Sequence, residues 1–119
     1  MAKILITEDE DSLRRFVARA LQMDGHDVVQ AGDGAEGLEF LHGAPFDLLL
    51  SDIRMPVMDG IALAHEAAAA FPGLKILLMT GYAEQRERAD DLADKIIDVV
   101  AKPFSLPDIR KAVAGALAA

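Results

Sequence analysis

Five residues close or follow apolar runs and carry groups that could do chemistry together. They are Glu8 and Asp9 after Lys3–Thr7 (KILIT), Asp52 after Phe46–Ser51 (FDLLLS), Thr80 at the end of Leu74–Thr80 (LKILLMT), and Lys102 after Ile97–Ala101 (IDVVA). Three carboxylates held close together repel one another and need a cation. Hard oxygen donors with room for water suit Mg²⁺. With a lysine and a hydroxyl beside it, such a site fits phosphoryl transfer: positive charge neutralises the equatorial oxygens and the hydroxyl donates a hydrogen bond. A central aspartate can itself be the nucleophile and form an aspartyl phosphate. The sequence has no GxxxxGK[ST] run, which argues against an NTP donor bound by that loop.

Only a fold can bring these residues together, and the rest of the chain shows which. The four runs above and a fifth, Asp27–Gln30 (DVVQ), alternate with helical patterns at the spacing of βα units. Several runs are continuously apolar, as strands buried on both faces should be. Leu13, Phe16, Val17, Ala20 and Leu21 make one face of a first helix, with Arg14, Arg15 and Arg19 off that face and Gly25 as its stop. Further helices are expected over Gly34–His42 and Gly60–Phe71. A last one starts at Ser105, with Pro107 and Asp108 in its first turn and Ile109, Ala112, Val113, Ala116 and Leu117 as its inner face. The segment Ala83–Lys95 has eight charged residues in 13 and only a thin apolar stripe, so a weakly anchored helix is expected there. The predicted architecture is α/β: a doubly wound, five-stranded parallel sheet, (βα)5, with its functional groups at the carboxyl ends of the strands, near the point where strand order reverses.

Composition narrows the function. The 119 residues fit one domain and, with 52% hydrophobic residues, a packed core. A formal charge of -8 repels phosphate backbones, so no nucleic-acid partner is expected. The absence of cysteine excludes disulfides, thiolate zinc sites and cysteine nucleophiles. No apolar run reaches the roughly 18 residues of a membrane span, and the N-terminus does not read as a signal peptide. A cytoplasmic location and no membrane partner are expected.

Four segments carry a resemblance to the response-regulator receiver family, typified by the chemotaxis protein CheY: ILITEDED (Ile4–Asp11), DLLLSDIRMPVMDG (Asp47–Gly60), LLMTGYA (Leu77–Ala83) and VAKPF (Val100–Phe104). The D-x-x-M-P-x-M-D-G run is highly specific, and K-P-F stands 50 residues after Asp52. The resemblance implies the strand order 2-1-3-4-5, that Asp52 is the phosphoacceptor and that Mg²⁺ is held by Glu8, Asp9, Asp52 and the backbone carbonyl of Arg54. It also implies that Thr80 and Lys102 contact the phosphoryl group and that Pro103 follows a cis peptide. The implied donor is a phosphohistidine on a histidine kinase or histidine phosphotransfer protein. The domain is then not an enzyme toward other substrates: it catalyses only its own phosphorylation and dephosphorylation. A phosphatase of the haloacid dehalogenase type would want a second aspartate at position 54, which is Arg54.

Two positions depart from the common pattern. Glu8 stands where aspartate is commoner, which predicts an altered metal geometry or a water bridge. Val99 stands where many receivers carry a switching aromatic, so Tyr82, two residues after Thr80, is the candidate for that role or for partner contact. Asp59 is expected to order the loop before the third helix. His26, His42 and His65 show no metal spacing and are expected to be solvated.

The chain stops where the last helix should, so a stand-alone, monomeric receiver with no output domain is expected, signalling by protein contact through the Ala83–Lys95 segment, the fifth strand and the last helix. The ending ALAA (Ala116–Ala119) matches that of the tag directing stalled translation products to the protease ClpXP; an alanine-rich helix terminus reads the same way. The whole chain also resembles single-domain receivers that act as phosphorylation-controlled protease adaptors. That resemblance implies an unphosphorylated form docking on the AAA+ unfoldase ClpX. The alternatives are a phosphorelay intermediate and a receiver acting on a kinase or motor.

Overall fold

The computed structural model describes residues 1–81, 89 and 94–119. Its elements are β1 (Lys3–Thr7), α1 (Asp11–Met23), β2 (Asp27–Ala31), α2 (Gly34–Gly43), β3 (Leu48–Asp52), α3 (Gly60–Ala70), β4 (Lys75–Thr80), β5 (Asp98–Ala101) and α4 (Leu106–Ala118). All five strands are parallel, in the order β2-β1-β3-β4-β5, which is the expected topology.

The continuously apolar runs are explained by two cores, one on each face of the sheet. Successive strand residues point to opposite sides. Ile4 and Ile6 of β1, Leu48 and Leu50 of β3, and Leu77 and Met79 of β4 pack beneath α1 and α4 with Val17, Leu21, Ile109 and Val113. Leu5, Leu49, Ile76 and Leu78 face the other way, beneath α2 and α3 with Leu41, Leu63, Ala64 and Ala67. The three central strands are therefore buried on both faces, whereas edge strands β2 and β5 are only partly covered. Ala89 is also buried, on the α2–α3 side; the rest of the charged segment, and Tyr82 with it, lies outside the described residues.

Helix starts follow from local chemistry. The Asp33 and Asp59 carboxylates accept from the backbone N–H of Glu36 and Ala62 at 2.8 and 2.9 Å. Ser105 and Asp108 form a reciprocal capping box at the start of α4. Asp59 thus has its expected ordering role. Two glycines allow close approach where any side chain would collide. A Cβ on Gly60 would lie 2.1 Å from the Asp52 carbonyl oxygen, and one on Gly34 would lie 2.2 Å from the Met58 carbonyl oxygen.

Two expectations need correction. Phe16 was placed on the inner face of α1 by its spacing, but it is 42% exposed; Ala18, a smaller side chain, takes the buried place beside Val17. His26 is not simply solvated: its ring is half-buried and Nδ1 accepts the backbone N–H of Ala2 at 3.1 Å. His42 and His65 are exposed as expected, His42 with its ring tilted against Phe71.

Candidate phosphoacceptor and metal site

The site is built where β1, β3 and β5 end. The β1 ladder runs one residue past the strand, with the Glu8 N–H donating to the Ala31 carbonyl at 3.1 Å, and this carries the Glu8 side chain into the interior, where it is 1% exposed. Asp52 closes β3 opposite Met79 and is 6% exposed. The next turn is pinned by two backbone bonds, Ile53 N–H to Met79 at 3.0 Å and Gly60 N–H to Ile53 at 2.7 Å. The Lys102 N–H bonds to the Thr80 carbonyl at 2.8 Å, and the Lys102–Pro103 peptide is cis, as the motif implied.

These placements bring together Glu8, Asp9 and Asp52, which each offer a carboxylate oxygen within 4.8 Å of the others. The Lys102 ammonium bridges two of them, 2.8 Å from Glu8 Oε1 and 3.1 Å from Asp52 Oδ1. The other Glu8 oxygen, Oε2, accepts the Glu10 N–H at 3.1 Å. The group lines an open cleft of about 810 Å³ together with Arg54, Gly81 and Pro103. Thr80 ends β4, buried at 3% exposure, and the next residue, Gly81, lines the cleft.

Electrostatics follow from burial. Desolvation pushes the Glu8 and Asp52 carboxyls above the usual carboxylate range, with Lys102 pulling both back. Burial acts to lower the Lys102 ammonium, but its bond to Glu8 and the charges of Asp52 and Glu8 outweigh that and raise it. Two buried carboxylates and one exposed carboxylate face an open, wettable cleft. That donor set fits a hard divalent cation that keeps part of its water shell.

Some contributors carry no motif. Thr7 and Ser51, both fully buried, are joined hydroxyl to hydroxyl, and Ser51 Oγ donates to the Asp52 carbonyl at 2.9 Å. Arg14, off the apolar face as expected, donates from Nη1 to the Glu8 carbonyl at 2.9 Å. The Thr7–Ser51 contact joins segments 44 residues apart, and the only sequence hint of either contributor was a hydroxyl beside the aspartate and an arginine near the acidic pair.

The model of the response regulator receiver domain matches residues 4–114. The chain belongs to this family. As a receiver, it is 43% identical over 109 residues to the response regulator receiver protein CpdR of Brucella abortus, covering 92% of this chain and 91% of that one. It is 38% identical to part of the sensor kinase CckA of the same organism, spanning 94% of this chain but 12% of the kinase. Among solved structures, the response regulator TrrA of Thermotoga maritima, in complex with Mg²⁺ and BeF, superposes with a TM-score of 0.88 at 28% identity over 98% of this receiver and 99% of that chain. A CheY-like receiver protein from Methanospirillum hungatei gives a TM-score of 0.91 at 28% identity, over 99% and 94% of the two chains. No helix among the described residues is long and apolar enough to cross a membrane.

Proposed function

We propose that this receiver accepts a phosphoryl group on Asp52 from a phosphohistidine of a histidine kinase or phosphotransfer protein, in the cytoplasm, and that phosphorylation switches its binding to protein partners. The observation that carries the reading is the joining of Asp52 to Glu8, Asp9 and Lys102 at one cleft. An Asp52 carboxylate oxygen attacks phosphorus, the P–N bond to the imidazole breaks as the P–O bond forms, its electron pair stays on that nitrogen, and the imidazole leaves neutral because its other nitrogen already carries a proton. Glu8, Asp9, Asp52 and the Arg54 carbonyl would hold Mg²⁺, which supplies charge neutralisation of the phosphoryl oxygens when bound; the TrrA complex supports that choice of ion. Lys102 moves from its carboxylate partners to the phosphoryl group, and Thr80 donates its hydroxyl to the same group. The open mouth of the cleft admits the donor side chain and, later, the water that removes the phosphate.

The output we propose is control of ClpXP-dependent proteolysis. The unphosphorylated receiver docks on the ClpX unfoldase as an adaptor, and phosphorylation ends that contact. The likeness to CpdR along nearly the full length of both chains and the ALAA segment support this reading. The test is incubation with acetyl phosphate and Mg²⁺, read by intact mass, on wild type and Asp52→Ala, followed by ClpX pull-down of both forms. The expected result is one added phosphoryl group that requires Mg²⁺ and Asp52, with ClpX retained only by the unmodified form. An unmodified wild type overturns the phosphoacceptor assignment; equal ClpX binding by both forms, or by neither, overturns the adaptor assignment.

A further inference from the structure

We infer that Arg14 is a positioning residue for the divalent-cation site: its guanidinium fixes the Glu8–Asp9 peptide and so aims the acidic pair at Asp52. The inference rests on the receiver reading above. The Arg14 guanidinium has three partners, in the acidic loop, in its own helix and on β2. Nη1 donates to the Glu8 carbonyl at 2.9 Å, Nη2 lies 2.7 Å from Asp11 Oδ1 in the first turn of α1, and Nε donates to Gln30 Oε1 on β2 at 3.3 Å. The Arg14 side chain is 14% exposed, and its bond to the Glu8 carbonyl is part-buried, whereas Asp11 and Gln30 lie at the surface. The planar fork suits this use, because three donors leave it in fixed directions.

The carbonyl it grips is part of the peptide that joins Glu8 to Asp9. That peptide is planar, so holding its oxygen sets the plane from which the Asp9 backbone departs. Burial fixes Glu8 and Asp52, but Asp9 is exposed and gains no such constraint from packing. Arg14 provides it from behind. The backbone N–H of Arg14 also bonds the Glu10 carbonyl at 3.0 Å, so the same residue ties both ends of the acidic loop.

Positioning and simple charge predict opposite signs. If Arg14 acted only as a nearby positive charge, removing it would favour a second cation and tighten Mg²⁺ binding. If it positions the carboxylates, removing it weakens binding. The experiment is isothermal titration of the full chain with Mg²⁺ for wild type, Arg14→Gln, Arg14→Lys and Gln30→Ala, with folding checked by circular dichroism. Arg110→Gln, which removes a surface ion pair at the C-terminal end of α1, is the control for general destabilisation.

The expected result is a dissociation constant raised about tenfold in Arg14→Gln, the range in which residues supporting metal ligands act. Smaller increases are expected in Arg14→Lys, which keeps charge without the fork, and in Gln30→Ala, which frees one edge of it. Arg110→Gln should match wild type. A folded Arg14→Gln that binds Mg²⁺ as tightly as wild type, or tighter, overturns the inference. Should that variant not fold, unchanged affinity in both Arg14→Lys and Gln30→Ala overturns it. A wild type that binds no Mg²⁺ overturns the metal reading itself, a separate outcome.

Discussion

Lys102 occupies the oxygens that the cation would also use, and this gives a prediction with two signs. Lys102→Met keeps the length of the side chain and removes its charge. At an effective dielectric constant of about 20, an ammonium at the observed separations attracts Glu8 by about 6 kcal/mol and Asp52 by about 5 kcal/mol. Much of that gross attraction is offset by the ammonium's own desolvation, and removing one partner of a buried pair costs about 3–5 kcal/mol net. The lysine side chain is 22% exposed against 2% and 8% for its partners, so the lower end, about 3 kcal/mol, is expected at pH 8 in EDTA. The loss should shrink as pH falls. Burial already holds both carboxyls above their ordinary values, and without Lys102 they rise further. The folded state then binds more protons than the unfolded state, so stability increases as the solution is acidified through the folded values. Urea unfolding followed by circular dichroism at pH 8 and pH 5.5 measures both. Mg²⁺ supplies the second sign: with the competing ammonium gone, saturating Mg²⁺ should raise the stability of the variant more than that of wild type. A variant as stable as wild type at pH 8 in EDTA, or one that gains less from Mg²⁺, would show that Lys102 does not neutralise this site.

Two further perturbations test the frame around the site. The Met58 N–H bonds to the Pro56 carbonyl at 2.8 Å across Val57, whose φ of 68° makes this a strained γ-turn by a β-branched residue. Val57 is 84% exposed, so Val57→Gly loses no packing; relief of about 1–2 kcal/mol of strain should exceed the entropy cost of glycine and raise the melting temperature by a few degrees. A lower melting temperature in calorimetry contradicts this. At the C-terminal end of α1, the Arg110 guanidinium grips Asp24, with Nε 3.0 and 2.9 Å from its two carboxylate oxygens, and its hydrogen bond holds the Asp24 carboxyl below the usual range. A lowered carboxyl stabilises above the unfolded value near pH 4 and loses that effect as pH falls through the folded value. Arg110→Gln should therefore melt below wild type at pH 6, with the gap closing toward pH 3; a gap independent of pH refutes the assignment to this pair.

Much of the site was legible because each motif residue sits where a parallel strand ends. A strand delivers its last side chain to a place set by the sheet, so apolar runs followed by Glu8, Asp52 and Lys102 carried both the fold and the convergence. What stayed hidden depended on contacts across the sequence. The spacing of Phe16 matched the helix period as well as that of Val17, but the covering that decides between inside and outside comes from α4 and the sheet. Arg14 read only as one of three arginines off the apolar face, because the helix pattern does not show that its guanidinium meets Gln30 and the Glu8 carbonyl.

Glu8 shows why a single departure is hard to interpret from sequence. One extra methylene suggested a shifted metal ligand. The structure shows that the longer side chain divides its carboxylate, with one oxygen on Lys102 and the other on the Glu10 N–H. Both oxygens are thus engaged before any cation arrives, by a lysine 94 residues away and by the loop itself. For Glu8 to ligate directly, one of these bonds must break, and the Lys102 bond is the one phosphorylation would release as the ammonium turns to the new phosphoryl oxygens. On the proposed reading, metal geometry, lysine position and phosphorylation state would therefore be coupled through this one glutamate side chain.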